Sequence, residues 1–157
     1  MNKETLRHAI LLKLEDQLQL AIKAANEARD LAIHEQSQPE TQYDTVGLEA
    51  SYLAHGQSQR VFDLEVMIQT YRKQVFRAFT DEDEIALTAL VHLQYPDARK
   101  AFFIGPCAGG LECNVDGEII QLLTPQAPLA RQLLGAFEGD EIMLPGQDTL
   151  IEILSVS

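Results

Sequence analysis

The sequence predicts an α+β protein: an N-terminal antiparallel coiled-coil helical hairpin, then a small antiparallel-sheet domain with one helix. Two observations predict it. Apolar residues recur at alternating steps of three and four through the first half, the spacing that winds helices together. Beyond about residue 80 the period shifts toward two and glycine-containing turns punctuate the chain. The domains implied are residues 1–79 for the hairpin, with its tip at about 34–40, and residues 80–157 for the sheet.

The first helix is written in Leu11, Leu14, Leu18, Ala21, Ala25, Ala28 and Ala32. No Pro or Gly interrupts residues 3–34, so this helix can run roughly 45 Å at 1.5 Å per residue. Around Pro39 the pattern breaks. Ser37 with Glu40 three residues on fits a capping box, and Pro39 is tolerated in a first turn, so a second helix is expected from near Gln38. Its seam reads Ala50, Ala54, Gln57, Val61, Leu64, Ile68, Tyr71, Val75 and Ala78, with Gly47 and Gly56 as weak points. So short a break forces the helices antiparallel. The seam is made of alanine and glycine toward the turn, and small residues there let the backbones approach closely.

Residues 80–84, Thr-Asp-Glu-Asp-Glu, read as a solvated linker or as a helix start with favourable early acids. Residues 85–93 then mix alternating and continuous apolar positions. Residues 100–104, 118–123 and 149–154 read as strands. Between them, Gly105-Pro106, Gly109-Gly110, Asp116-Gly117 and Pro145-Gly146 mark turns. One helix interrupts the strands at residues 128–134, with Pro128 at its start and Gly135 past its end.

Composition narrows the function classes. Hydrophobic residues make up 46% of the 157 and charged residues 23%, a globular balance that argues against disorder. The net charge of −12 is uneven. Residues 1–78 hold nine Lys/Arg and eleven Asp/Glu, whereas residues 79–157 hold three and thirteen. So acidic a C-terminal half repels phosphate, so no direct DNA binding is expected and a protein partner with a basic or mixed surface fits better. Charged residues throughout the first twenty positions are incompatible with a signal peptide, and no run reaches the ~18 apolar residues a membrane span needs. A cytoplasmic protein with reduced Cys107 and Cys113 is expected, and two thiols without further Cys or His partners make a poor zinc site. The four histidines, His8, His34, His55 and His92, have no metal-ligand spacing and read as surface or half-buried residues. Arg72, Lys73 and Arg77 could meet RNA or a partner protein, though a solvated face or pairing with the acidic domain is the simpler expectation.

Residues 124–141 resemble the C-terminal signature of the GreA/GreB transcription elongation factors. Pro128, Leu129, Ala130, Arg131, Leu133, Leu134, Gly135, Gly139 and Asp140 stand at matching positions, while Ala127 replaces the usual serine and Gln132 a usual alanine. Residues 151–156 resemble the family's last strand, and residues 27–31 the end of its first hairpin helix. The resemblance implies an FKBP-like C-terminal domain, with Pro128, Leu129 and Arg131 as candidate partner-binding residues. It further implies that the protein binds RNA polymerase, inserts its hairpin in the secondary channel and modulates transcript cleavage or elongation, without being an enzyme alone. Acidic tip residues of such factors help hold a Mg²⁺ at the polymerase active centre, and a hard cation of that kind takes oxygen ligands. Here the tip departs from the family. Anchored on Tyr43, the family's first two acids fall at Gln36 and Pro39; Glu35, Glu40 and Asp44 are the nearby carboxylates that could serve. The plainer account makes Glu40 a cap and the other two solvated charges. Two alternatives stand beside the main reading: a non-cleaving regulator of the polymerase channel, and an FKBP-like prolyl isomerase or chaperone.

Overall fold

A computed structural model describes residues 2–37 and 46–157, except for the side chains of residues 35–37 and of 46 and 47. The elements follow in the order α1 (Lys3–Ser37), α2 (Val46–Lys73), β1 (Leu90–Gln94), β2 (Arg99–Ile104), β3 (Glu112–Val115), β4 (Glu118–Leu123), α3 (Pro128–Leu133), β5 (Glu141–Met143) and β6 (Leu150–Val156). The fold is α+β, as the periodicities predict. It divides into two compact units, one of residues 11–69 and the other of residues 1–10 together with 70–157.

The unit of residues 11–69 is the paired-helix part. Leu14, Ala21, Ala28 and Ala32 of α1 are buried, as are Ala50, Leu64 and Ile68 of α2. These are members of the expected seams, and Leu18, Ala25, Ala54, Gln57 and Val61 are half-buried beside them. Arg60 adds a polar tie by donating from Nη2 to Gln17 Oε1 at 3.3 Å. Because the buried positions near residues 28, 32 and 50 are alanines, little apolar area is available there, and most of the burial energy comes from the leucines and isoleucine. Gly56 sits in the interior of α2, where an added Cβ would meet nothing within 4 Å. Gly56→Ala is therefore expected to raise stability by about 1 kcal/mol, read as a higher denaturant midpoint with an unchanged slope.

The start of α2 expected near Gln38 lies outside the described residues. Its end is described and is earlier than the seam suggested: α2 stops at Lys73, leaving Val75 77% exposed and Ala78 exposed. The cause is the backbone beyond. Arg77 N donates to Thr88 Oγ1 at 3.0 Å, a bond across the chain that an i→i−4 helical ladder would not allow. Residues 80–84 form a turn rather than a helix start: Asp83 Oδ2 accepts from both Thr80 N and Thr80 Oγ1.

The other unit holds a six-stranded sheet of order β3-β4-β2-β1-β6-β5. The strands expected at 100–104, 118–123 and 149–154 correspond to β2, β4 and most of β6, whereas β3 and β5 are too short to show a period. Residues 85–89 are not strand. Thr88 adopts φ 72°, and Ala89 N bonds back to Ala86 O, so the ladder begins only at Leu90. One pair departs from the expected antiparallel sheet: β2 and β4 are parallel, with Ala101 opposite Ile120 and Ile104 opposite Leu123. The β3–β4 hairpin accounts for it. β3 lands one place beyond β4, so β4 returns into the gap beside β2 running in the same direction.

The sheet separates two sets of side chains because successive residues face opposite sides. One face carries Val91, Leu93, Phe102, Ile104, Ile151 and Ile153, packed with Ala130 and Leu133 of α3. The other carries Leu90, Phe103, Ile120 and Leu122, all fully buried. Leu6, Ile10 and Tyr71, at the helix ends belonging to this unit, are buried as well, and Phe76 stacks on Phe103 at 4.9 Å between ring centroids.

Candidate functional site

The stretch at 124–141 is built residue by residue. Pro128 opens α3, where its missing N–H has no partner to lose. Ala130 and Leu133 point into the core and Leu129 packs half-buried against it. Gly135, at φ 84°, turns the chain out of the helix, and its N–H donates to Ile85 O while Ala136 O accepts from Ile85 N. Gly139, at φ 88°, makes the next turn and donates to Ile153 O. Asp140 closes that turn by accepting from Phe137 N at 2.8 Å through Oδ2. Most residues that carry the resemblance are thus accounted for by backbone conformation and packing.

What remains outward is Pro128, Arg131 and Gln132 on α3, with Phe137 beyond it 42% exposed. Arg131 is one of only three Lys/Arg among residues 79–157, and both it and Phe137 are exposed. Such a surface can hold a carboxylate and an apolar side chain of a protein partner. Of the sequence candidates, Pro128 and Arg131 lie on this surface and Leu129 is half withdrawn from it. Phe137 was not singled out from the sequence; its signal was an aromatic side chain between two glycine turns, where the chain cannot bury it.

A second polar arrangement gathers at the start of α1 and residues 71–88. Arg7 Nη1 donates to Tyr71 O at 2.6 Å and to Gln74 O at 2.7 Å, and its guanidinium lies 4.1 Å from the Phe76 ring centre. Lys3 Nζ donates to Arg77 O and to Thr88 O, and stands 4.7 Å from the centre of Phe79. Burial, and then the charge of Arg77, lower the Lys3 pKa to about 8. Arg77 stacks on Phe79 from 4.6 Å and pairs with Asp83 at 2.9 Å. The hydrogen bonds from Thr80 are the main reason the Asp83 carboxyl titrates below its ordinary range, and Arg77 adds to them. Arg77 therefore has the acidic partner that its position suggested. These cations fasten backbone carbonyls and aromatic rings, a structural use of charge.

Glu40 and Asp44 lie outside the described residues, and Glu35 is in α1 with its side chain outside them. Among the described residues no group of three His, Cys, Asp or Glu could hold a metal ion. As a donor set, the carboxylates of Glu35, Glu40 and Asp44 suit Mg²⁺, a hard cation that commonly takes one or two protein carboxylates and completes its shell elsewhere. The two cysteines form no disulfide, and burial pushes the Cys107 thiol up, away from reactive thiolate. No helix among the described residues is long and apolar enough to cross a membrane.

Neither a family model nor a curated protein matches the chain. Three solved structures are similar over most of their length. The GreA factor homolog 1 (Gfh1) protein of Thermus thermophilus is 18% identical, covers 94% of each chain and superposes with a TM-score of 0.37. A second structure of the transcription factor Gfh1 is 18% identical over 94% of this chain and 93% of the other, with a TM-score of 0.39. Thermus aquaticus Gfh1 is 20% identical over 92% and 91%, with a TM-score of 0.36. At such identities and scores the likeness is distant and assigns neither activity nor partner.

Proposed function

We propose that this chain is a Gre-type transcription factor that binds RNA polymerase, inserts its helical pair in the secondary channel and modulates transcript cleavage or elongation. The observation that carries the reading is residues 124–141. Nine positions match the GreA/GreB signature, and the matched residues supply the start, core, exit and following turn of one local structure. A chance likeness of composition would not reproduce that order of roles. The long alanine-lined helical pair fits a narrow channel, and the exposed Arg131 and Phe137 fit a protein surface.

Within that reading the chain completes a site and is not an enzyme alone. Glu35, Glu40 and Asp44 would hold the Mg²⁺ jointly with the polymerase, and the ion supplies charge neutralisation and an activated water for RNA cleavage. The non-cleaving alternative has an observation of its own: Gln36 and Pro39 occupy the positions of the family's first two acids. A prolyl isomerase is less well supported, because Phe102 and Phe103 are buried on opposite faces of the sheet and cannot line one pocket.

The test is binding to RNA polymerase of the source organism, followed by RNA cleavage and elongation measured on a stalled complex. The full chain is expected to be retained by the polymerase and to change the outcome. Glu40→Ala with Asp44→Ala is expected to keep binding and to lose at least tenfold of any cleavage stimulation. Cleavage unaltered in that double variant removes Glu40 and Asp44 from the mechanism. Absence of polymerase binding ends the reading altogether.

A further inference from the structure

Three polar side chains from three strands lie hydrogen-bonded in a row across the sheet. Ser155 of β6 places Oγ 3.1 Å from His92 Nδ1 on β1. His92 Nε2 lies 2.9 Å from Glu118 Oε1 on β4. With the Ser155 hydroxyl donating to Nδ1, the ring carries its proton on Nε2 and donates it to the carboxylate.

Two features of the fold bring these groups together. β1 and β6 pair His92 with Ser155 but Leu93 with Ile153, so β6 carries one extra residue, Leu154, at a bulge. An unbroken ladder from the Leu93–Ile153 pair would set Leu154 opposite His92; the bulge puts a hydroxyl there instead. β2 lies between β1 and β4, and the residue it presents opposite His92 is Ala101. A methyl group at that position lets the imidazole cross β2 and reach the carboxylate. Solvent access remains: the His92 side chain is 28% exposed, that of Glu118 42%, and Ser155 is half-buried.

We propose that Ser155, His92 and Glu118 form a nucleophilic serine site that takes an acyl group from small activated esters. The roles are those of a serine–histidine–carboxylate relay with the two ring nitrogens exchanged from their commoner use. Ser155 Oγ bonds to the ester carbonyl carbon as its proton passes to His92 Nδ1. The carbon–oxygen bond to the leaving group breaks, and the departing oxygen takes that proton. Water, giving a proton to Nδ1, then attacks the acyl-serine; the carboxylic acid leaves and Ser155 recovers its hydrogen. Glu118 holds the tautomer and the charge of the imidazolium. A merely structural strut would use the same hydrogen bonds, and the two roles separate on covalent reactivity.

The experiment uses the full chain at pH 7.5 with p-nitrophenyl acetate, and separately with an aryl sulfonyl fluoride followed by peptide mass spectrometry. Expected are p-nitrophenolate release above the Ser155→Ala control and one adduct, on Ser155. His92→Gln is expected to slow labelling at least about a hundredfold, the usual size of a general-base contribution. Circular dichroism of each variant reports whether it is folded, and Ser155→Ala, a change of one atom, retains the fold. No adduct on Ser155, an adduct rate unchanged in folded His92→Gln, or release from Ser155→Ala equal to the parent each overturns the proposal.

Discussion

Gly105→Ala is expected to lower stability by about 2–4 kcal/mol, the range of severe overpacking, and Tyr71→Phe is expected to restore much of it. A Cβ at Gly105 would collide with the Tyr71 hydroxyl and stand 3.3 Å from Tyr71 Cζ. Tyr71 cannot move aside easily. It is fully buried, and its hydroxyl donates to Cys107 O at 2.7 Å. Burial, with the Cys107 side chain next, raises its pKa well above the ordinary tyrosine value, so the donor stays protonated. Tyr71→Phe alone should cost about 1–3 kcal/mol by leaving that carbonyl without its donor. In the double variant the colliding oxygen is gone and only a tight contact with the ring remains. The two losses should therefore fall short of their sum by at least about 1 kcal/mol in denaturant unfolding. Strict additivity would show that the glycine is needed for some other reason, such as its N–H bond to Leu123 O.

Arg7→Ala is expected to cost about 2–4 kcal/mol, and Arg7→Lys to recover less than half of it. The guanidinium serves two carbonyls left open at the end of α2, where the helix dipole is negative, and it lies over the Phe76 ring. Its side chain is only 17% exposed, so these contacts are poorly screened. A lysine keeps the charge but not the planar fork that reaches both oxygens while stacking. The loss should read as a fall in Tm of several degrees. A lysine variant as stable as the parent would show that charge alone matters, and a neutral outcome for alanine would show that the carbonyls are satisfied by water.

The long helices were legible because the heptad spacing states both the element and the face it buries, and Leu14, Ala21, Ala28, Ala32, Leu64 and Ile68 are buried as written. The α2 terminus was not legible. Val75 and Ala78 continue the apolar spacing, yet Arg77 N turns to Thr88 Oγ1, a partner eleven residues away that periodicity cannot announce. Likewise, β3 and β5 hold four and three residues, too few for alternation to rise above chance. Of the candidate site, the signature at 124–141 was readable in full, down to the glycines that its turns require. The exposed Phe137 and the Ser155–His92–Glu118 row were not, because neither follows a spacing along the chain.

By itself the sequence determined the α+β class, the paired helices with their alanine-lined stretch, the strong negative charge of the second half and the local structure around α3. These are properties of neighbours within about four residues, where a 3.6-residue or two-residue period and turn chemistry suffice. Only the tertiary structure decided that β4 runs parallel to β2, that Gly105 makes room for Tyr71, and that a bulge at Leu154 sets Ser155 against His92. Each depends on residues 19 to 63 positions apart being brought into register, where chain connectivity imposes no spacing and only packing and hydrogen-bond satisfaction choose the partner.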